Sequence, residues 1–247
     1  MKRFTARVVA GDGPAMPVAI ITGASRGLGR ALAGALARRG WDLVLDGRSE
    51  GVLKTAAAEL EREGPGRVAA VPGDVTDAAH RTALVAAARA FGGVDLLVNN
   101  ASALGAEPLV ALAELPVDGL RAALETNVVA PLALVREALP LLRAAGGAVL
   151  NISSDAAVEA YATWGGYGAS KAALEQLSAV LAVEEPGLRV WWVDPGDLRT
   201  ELYTAAVPDD DPSDRLLPAD VAPAFLRLLD EEAPSGRYTA PALLEAR

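Results

Sequence analysis

"VAIITGASRGLGRALAGALARRG", residues 18–40, changes character twice. Val18 to Ile21 form a short apolar run, as expected of a strand buried on both faces. From Leu28 onward, Ala and Leu recur with helical spacing. Between them, "TGASRGLG" (22–29) places glycines at 23, 27 and 29, a G-x-x-x-G-x-G pattern. Such glycines let the backbone turn tightly and approach a pyrophosphate, whose charge is favoured by the free N–H groups of the helix start. Taken alone, the cluster also fits a tight turn that binds nothing.

The same alternation continues along the chain. "DLVLDG" (42–47), "RVAAVPGD" (67–74), "VDLLVNNA" (94–101), "GAVLNISS" (147–154) and "LRVWWVDPG" (188–196) read as strands. Ala/Leu-rich helices separate them, including one long helix over roughly 118–143 and another around 166–184. "ADVAPAFLRLLDEE" and the short strand "GRYTA" close the pattern. Strand–helix alternation predicts an α/β fold: a Rossmann-type doubly wound parallel sheet of about seven strands, with helices on both faces. Ligands are then expected beyond the carboxyl ends of the strands. Residues 17–247 read as one domain preceded by a tail, 1–16, which could also stem from an upstream start site. The polar stretch 197–218, with "DDDPSD" at its middle, reads as a long loop that binds or covers substrate.

Composition narrows the chemistry. The chain has 247 residues and no cysteine, which excludes disulfides, thiol nucleophiles and zinc–thiolate sites. A formal net charge of −9 argues against nucleic acid or an anionic membrane as the main partner. No apolar run reaches membrane-span length and the N-terminus lacks a continuous apolar core, so a cytoplasmic location is expected. The lone histidine, His80, falls on the first turns of a helix in "VTDAAHRTAL" and is expected to be a solvated surface residue.

Three lysines stand against twenty arginines, and Lys171 lies among small apolar residues in "YGASKAAL". A phenol is a poor proton shuttle at neutral pH unless a nearby ammonium favours its ionised form. Residues i and i+4 share a helix face. Tyr167 has Lys171 at that offset, whereas Tyr161 has Gly165. The pairing selects Tyr167 as a general acid/base, with Lys171 expected to lower its pKa. Lysine suits that place because, unlike arginine, it exchanges protons and acts as a compact point charge.

With "TGASRGLG", "GDVTD", "NNAS", the Asn127 of "ETNVVAPLAL", "SS" followed by "YGASK", and "DPGDLRT" in this order, the chain resembles the short-chain dehydrogenases/reductases of the compact single-domain type, over about residues 17–240. The resemblance implies a nicotinamide cofactor held by Gly23, Ser25, Arg26, Gly27, Leu28 and Gly29 of the loop. Asp74 and Val75 would lie at the adenine, although Asp74 or its neighbours also suit a helix N-cap. Asn99 and Ala101 would line the cofactor path, and Pro195, Gly196, Leu198 and Thr200 would meet the nicotinamide end. Tyr167 and Lys171 would also touch the nicotinamide ribose. NAD-preferring members place an acidic residue at the end of the second strand; aligned on "LVLDGRS", that position is Gly47, followed by Arg48. Arg26 and Arg48 can clasp a 2′-phosphate, which favours NADP(H). A shift of one residue would instead make Asp46 the ribose acceptor and NAD(H) the cofactor.

The resemblance also implies Ser154, thirteen residues before Tyr167, as the serine that orients the substrate oxygen, with Ser153 structural. Asn127 would support a proton relay to Lys171, or else be a buried residue bonded to backbone. Two departures from the family pattern stand out: Ser102 and Ala157 occupy positions that are often glycine. Tyr161 and Trp164 line the substrate pocket or pack against its lid. Asp209 to Asp211 read as a solvated tip or as a gate against anionic substrates. Trp191 and Trp192 alternate faces, so at least one belongs to the core or marks an interface. The implied function is NADP(H)-dependent interconversion of a small-molecule carbonyl and its alcohol, by a homodimer or homotetramer without a metal. The alternative is a dinucleotide-binding sensor or scaffold without catalysis.

Overall fold

The computed structural model describes residues 16–245; the expected tail, apart from Met16, lies outside them. Seven strands are named in chain order: β1 (Val18–Ile21), β2 (Asp42–Gly47), β3 (Val68–Pro72), β4 (Leu96–Asn99), β5 (Ala148–Ile152), β6 (Arg189–Asp194) and β7 (Gly236–Thr239). They form one sheet in the order β3-β2-β1-β4-β5-β6-β7, every pair parallel. The helices are α1 (Gly27–Ala37), α2 (Glu50–Glu63), α3 (Ala78–Phe91), α4 (Val117–Leu124), α5 (Ala130–Ala145), α6 (Gly165–Glu184), α7 (Glu201–Ala206), α8 (Pro218–Asp230) and α9 (Ala240–Glu245). Among the described residues, no helix is long and apolar enough to cross a membrane.

Period-two alternation divides the core into two layers. Ala19, Ile21, Leu43, Leu45, Leu96, Val98, Leu150 and Trp191 pack on one face with α1, α2 and α8. Val18, Ile20, Val44, Leu97, Val149 and Val190 pack on the other with α3 and α5. Trp191 is the core tryptophan, its indole N–H donating to the Ala233 carbonyl at 3.0 Å, while Trp192 is only partly buried on the opposite layer.

β1 sits between β2 and β4, where the strand order reverses. There the Thr22 hydroxyl accepts from the Asn100 and Ala101 N–H groups at 2.9 and 3.0 Å, tying the ends of β1 and β4 together. Gly29 lets α1 start against this junction: a Cβ there would lie 2.5 Å from both the Asn100 side-chain nitrogen and the Gly23 carbonyl oxygen. Gly23 and Gly27 hold φ of 62° and 56°, where other residues are strained.

Two segments differ from the sequence expectation. The single long helix over 118–143 is interrupted by a π-helical turn, Glu125–Val129, centred on Asn127. Pro131 explains this, since it has no N–H to donate to the carbonyl four residues back. Residues 197–218 carry α7 and a 3-10 turn, Pro212–Asp214, and a bridge of Leu198 to Leu216 closes the segment on itself. Thr200 starts α7 by accepting from the Tyr203 N–H at 3.2 Å. Gly29→Ala is expected to lower stability to urea by roughly 1–3 kcal/mol, because backbone opposes the new methyl group. Gly51→Ala, whose Cβ meets nothing within 4 Å, should change it by less than about 1 kcal/mol.

Candidate active site

Beyond the carboxyl ends of the strands lies a cleft of about 1060 Å³. Its walls come from the β1–α1 loop, the ends of β2 and β3, the loop after β4, the ends of β5 and β6, α6 and residues 195–206. Of the residues singled out in the sequence, Gly23, Ser25, Arg26, Gly27, Leu28, Arg48, Asp74, Val75, Ala101, Ser154, Tyr167, Lys171, Pro195, Gly196, Leu198 and Thr200 all face it. Gly29, Asn99 and Asn127 do not. Gly29 serves the close packing of α1. The Asn99 amide donates to Asn151 at 2.8 Å within the sheet, and the neighbouring Asn100 faces the cleft.

The end of β2 bears on how the cleft treats a ribose. Asp46 is 2% exposed, with its carboxylate turned inward. One oxygen accepts from the Gly23 N–H at 3.1 Å and the other lies 2.6 Å from His80 Nε2. His80 is therefore a buried partner of the glycine loop, which corrects the expectation of a solvated surface histidine. It fits because residue 73 is glycine: a Cβ there would lie 2.3 Å from the imidazole Nδ1. The "PGD" glycine was the signal in the sequence. Asp46 lines the cleft with its carboxylate committed to these two partners, and Gly47 and Arg48 follow it along the same wall.

Arg48 is exposed at the cleft wall and makes no hydrogen bond or ion pair among the described residues; it lies near Asp74, whose carboxyl it helps to hold low. The main cause of that low value is the Thr76 N–H, which donates to Asp74 at 2.9 Å. The helix cap proper is Asp77, accepting from Ala79 N–H. Arg26 pairs with Glu201 of α7 across the cleft mouth.

At the other end, α6 presents Tyr167 and Lys171 one turn apart, with Lys171 Nζ 5.5 Å from the phenol ring centre. Lys171 is 2% exposed and donates to the Ile152 carbonyl at 2.8 Å. Burial lowers its pKa to about 8. The expectation that Lys171 pulls the Tyr167 pKa below its ordinary value is not met. Burial pushes the phenol up to about 12; the Ser102 and Ser154 hydroxyls draw it back, and the Asp194 and Asp155 charges add to the rise. Desolvation of the phenolate outweighs the lysine, which burial itself has made easier to discharge.

Ser154 caps a 3-10 turn, accepting from Ala156 N–H at 3.2 Å and donating to Asp155 at 3.0 Å. Ser153 donates to Glu175 at 2.6 Å, in keeping with a structural part. Tyr161 is 47% exposed and is not a cleft wall; its hydroxyl donates to the second Asp155 oxygen at 3.0 Å. Trp164 does face the cleft and meets Tyr167 edge to face, ring centres 5.7 Å apart.

The Asn127 side chain is fully engaged: it binds the Ala103 N–H and carbonyl at 2.8 Å each and donates to Ser170 Oγ at 2.8 Å. Ser170 in turn donates to the Tyr167 carbonyl at 2.6 Å. The Asn127 side chain thus fixes the loop after β4 against α6, bonded to backbone as one of the two readings expects. Glu201, Asp155 and Asp194 also face the cleft. Each sits at the end of an element, where a carboxylate carries no periodic signal in the sequence.

A doubly wound parallel sheet, a glycine-lined cleft at its switch point and a Tyr–Lys pair at the cleft's far end define an oxidoreductase of the nucleotide-binding α/β class. More narrowly, the chain belongs to the short chain dehydrogenases, whose family model matches residues 17–211. It is 36% identical to an uncharacterized oxidoreductase of Saccharomyces cerevisiae over 188 residues, 75% of this chain and 72% of that one. It is 31% identical to the oxidoreductase YciK of Escherichia coli over 227 residues, 87% of each chain. Among solved structures it is similar to a short chain dehydrogenase from Shigella flexneri complexed with NADP (TM-score 0.85, 30% identity, 91% of this chain and 97% of that one). An alcohol dehydrogenase from the archaeon Thermococcus sibiricus complexed with 5-hydroxy-NADP is also similar (TM-score 0.83, 30% identity, 91% and 95%).

His80→Ala leaves the buried Asp46 carboxylate with one partner fewer and is expected to lower stability to urea by roughly 1–3 kcal/mol. His80→Gln, which can donate the same bond, should recover part of that loss. An unchanged unfolding midpoint in His80→Ala would contradict the role given to this pair.

Proposed function

We propose that the protein is an NADP(H)-dependent oxidoreductase that interconverts a small-molecule carbonyl and its alcohol. The observation that carries this reading is the polarity of the cleft: glycine loop, Arg26 and Arg48 at one end, Ser154, Tyr167 and Lys171 at the other. The residues present fit such a cofactor. Gly27 leaves open space over the loop, where a Cβ would meet only the Thr200 methyl group at 3.7 Å. The inward turn of Asp46 removes the negative charge that would repel a 2′-phosphate, and the exposed Arg48 supplies a guanidinium for it. Arg26 would exchange Glu201 for the same phosphate. The NADP-bound relatives point the same way.

A bound nicotinamide supplies or accepts the hydride. In the reductive direction the Tyr167 phenol, protonated at neutral pH, gives its proton to the oxygen that becomes the alcohol. Ser154 turns its hydroxyl from Asp155 to that same oxygen and holds it toward Tyr167. Lys171 keeps its charge below about pH 8, stabilises the phenolate left behind and returns a proton to it. Asn127 takes part by positioning, through Ala103 and Ser170, the two segments that face the reacting atoms. Trp164 walls the cleft beside Tyr167 and excludes water from the phenol.

Tyr167→Phe is expected to bind NADPH with unchanged affinity, read by nucleotide fluorescence, while carbonyl reduction falls by a factor of about 100 or more, the scale of general acid catalysis. Tyr161→Phe should alter turnover only mildly. Full activity in Tyr167→Phe would overturn the assignment.

A further inference from the structure

Ser102 stands at a position that is often glycine in the resemblance drawn above, and the structure gives its hydroxyl an unusual setting. Its Oγ is buried and makes no hydrogen bond among the described residues. Buried hydroxyls without a partner are uncommon, because each loses its hydration without compensation. Ser102 faces the same cleft as Tyr167 and Ser154. Its backbone is not free to carry the hydroxyl elsewhere. On one side Ala101 N–H is held by Thr22 at 3.0 Å, and on the other Ala103 is held at both N–H and carbonyl by Asn127 at 2.8 Å. Asn127 also binds Ser170 Oγ at 2.8 Å, and Ser170 binds the Tyr167 carbonyl at 2.6 Å. A short chain of buried bonds therefore sets the Ser102 segment against the turn of α6 that carries Tyr167.

We infer that Ser102 is a positioning residue for the Tyr167 oxygen: its hydroxyl donates a hydrogen bond to the phenolate as the proton leaves. A neutral phenol oxygen accepts an ordinary hydrogen bond, whereas a phenolate accepts a stronger, charge-assisted one. The Ser102 and Ser154 hydroxyls both draw the pKa of the phenol down. The division of labour follows from chemistry. Ser154 is free to attend to the substrate oxygen because a second serine attends to the tyrosine. The inference rests on Tyr167 as the proton donor and acceptor of the proposed function.

The test reads the ionisation of Tyr167 rather than turnover. Tyrosinate absorbance is recorded after rapid pH jumps in the full-length enzyme, and the signal of Tyr167→Phe is subtracted to isolate the one phenol. Ser102→Ala is expected to raise the Tyr167 midpoint by about 0.5–1 pH unit, the worth of one hydrogen bond to a buried acceptor. Ser102→Thr, which keeps the hydroxyl, should retain the wild-type midpoint. The pH profile of alcohol oxidation should move in the same direction in Ser102→Ala. An unchanged tyrosinate midpoint in Ser102→Ala would overturn the inference, as would a midpoint that rises equally in Ser102→Thr. Because the titration does not depend on catalysis, it is separable from failure of the proposed function, which Tyr167→Phe decides by turnover.

Discussion

The cleft exists because β1 and β4, neighbours at the centre of the sheet, send their chains to opposite faces. Where two adjacent parallel strands diverge in this way, no backbone covers the gap beyond their ends. The Thr22 hydroxyl holds the two diverging loops at a fixed spacing by accepting two N–H bonds from the far side. Every other feature of the site is referred to that junction. The glycine loop starts from it, α1 is pressed against it through Gly29, and the loop that carries Ser102 leaves from it.

Burial then sets the chemistry. Lys171 and Tyr167 are both taken out of water, and desolvation drives them toward neutrality from opposite sides, the lysine down to about 8 and the phenol up to about 12. Both groups therefore keep their protons at neutral pH. That arrangement suits donation to a carbonyl oxygen, and it makes the hydroxyl neighbours of the phenol matter, since they are what offsets the cost of the phenolate. Charge at the opposite end is handled by geometry. Asp46 is held by Gly23 and His80, so the exposed Arg48 faces the cleft with Asp74, rather than Asp46, as the carboxylate near it.

Much of this was legible in the residues. Parallel strands buried on both faces show as short apolar runs, so a doubly wound parallel sheet of about seven strands could be anticipated. The four-residue offset of Tyr167 and Lys171 picked out the tyrosine that faces the cleft over Tyr161, which does not. What escaped the sequence were contacts between segments far apart in it. His80 looks like a helix-surface residue because its partner, Asp46, lies 34 positions away; only Gly73 hinted at the space it occupies. Asn127 is bonded to Ala103 and Ser170, neither of which has a periodic relation to it. The phenol's rise reflects desolvation by the whole surrounding fold, which spacing on one helix does not report. The break in the helix at Asn127 was readable from Pro131, four residues on, through the hydrogen bond that proline cannot give.

One cleft is thus proposed to join a 2′-phosphate-tolerant nucleotide site to a proton-donating tyrosine. Oxidation of NADPH and of NADH, followed in parallel over a panel of ketones and aldehydes, decides whether it does. NADPH should be consumed with at least one carbonyl of the panel, at a kcat/KM well above that for NADH. Preference for NADH, or no oxidation of either nucleotide despite tight NADPH binding, would contradict it.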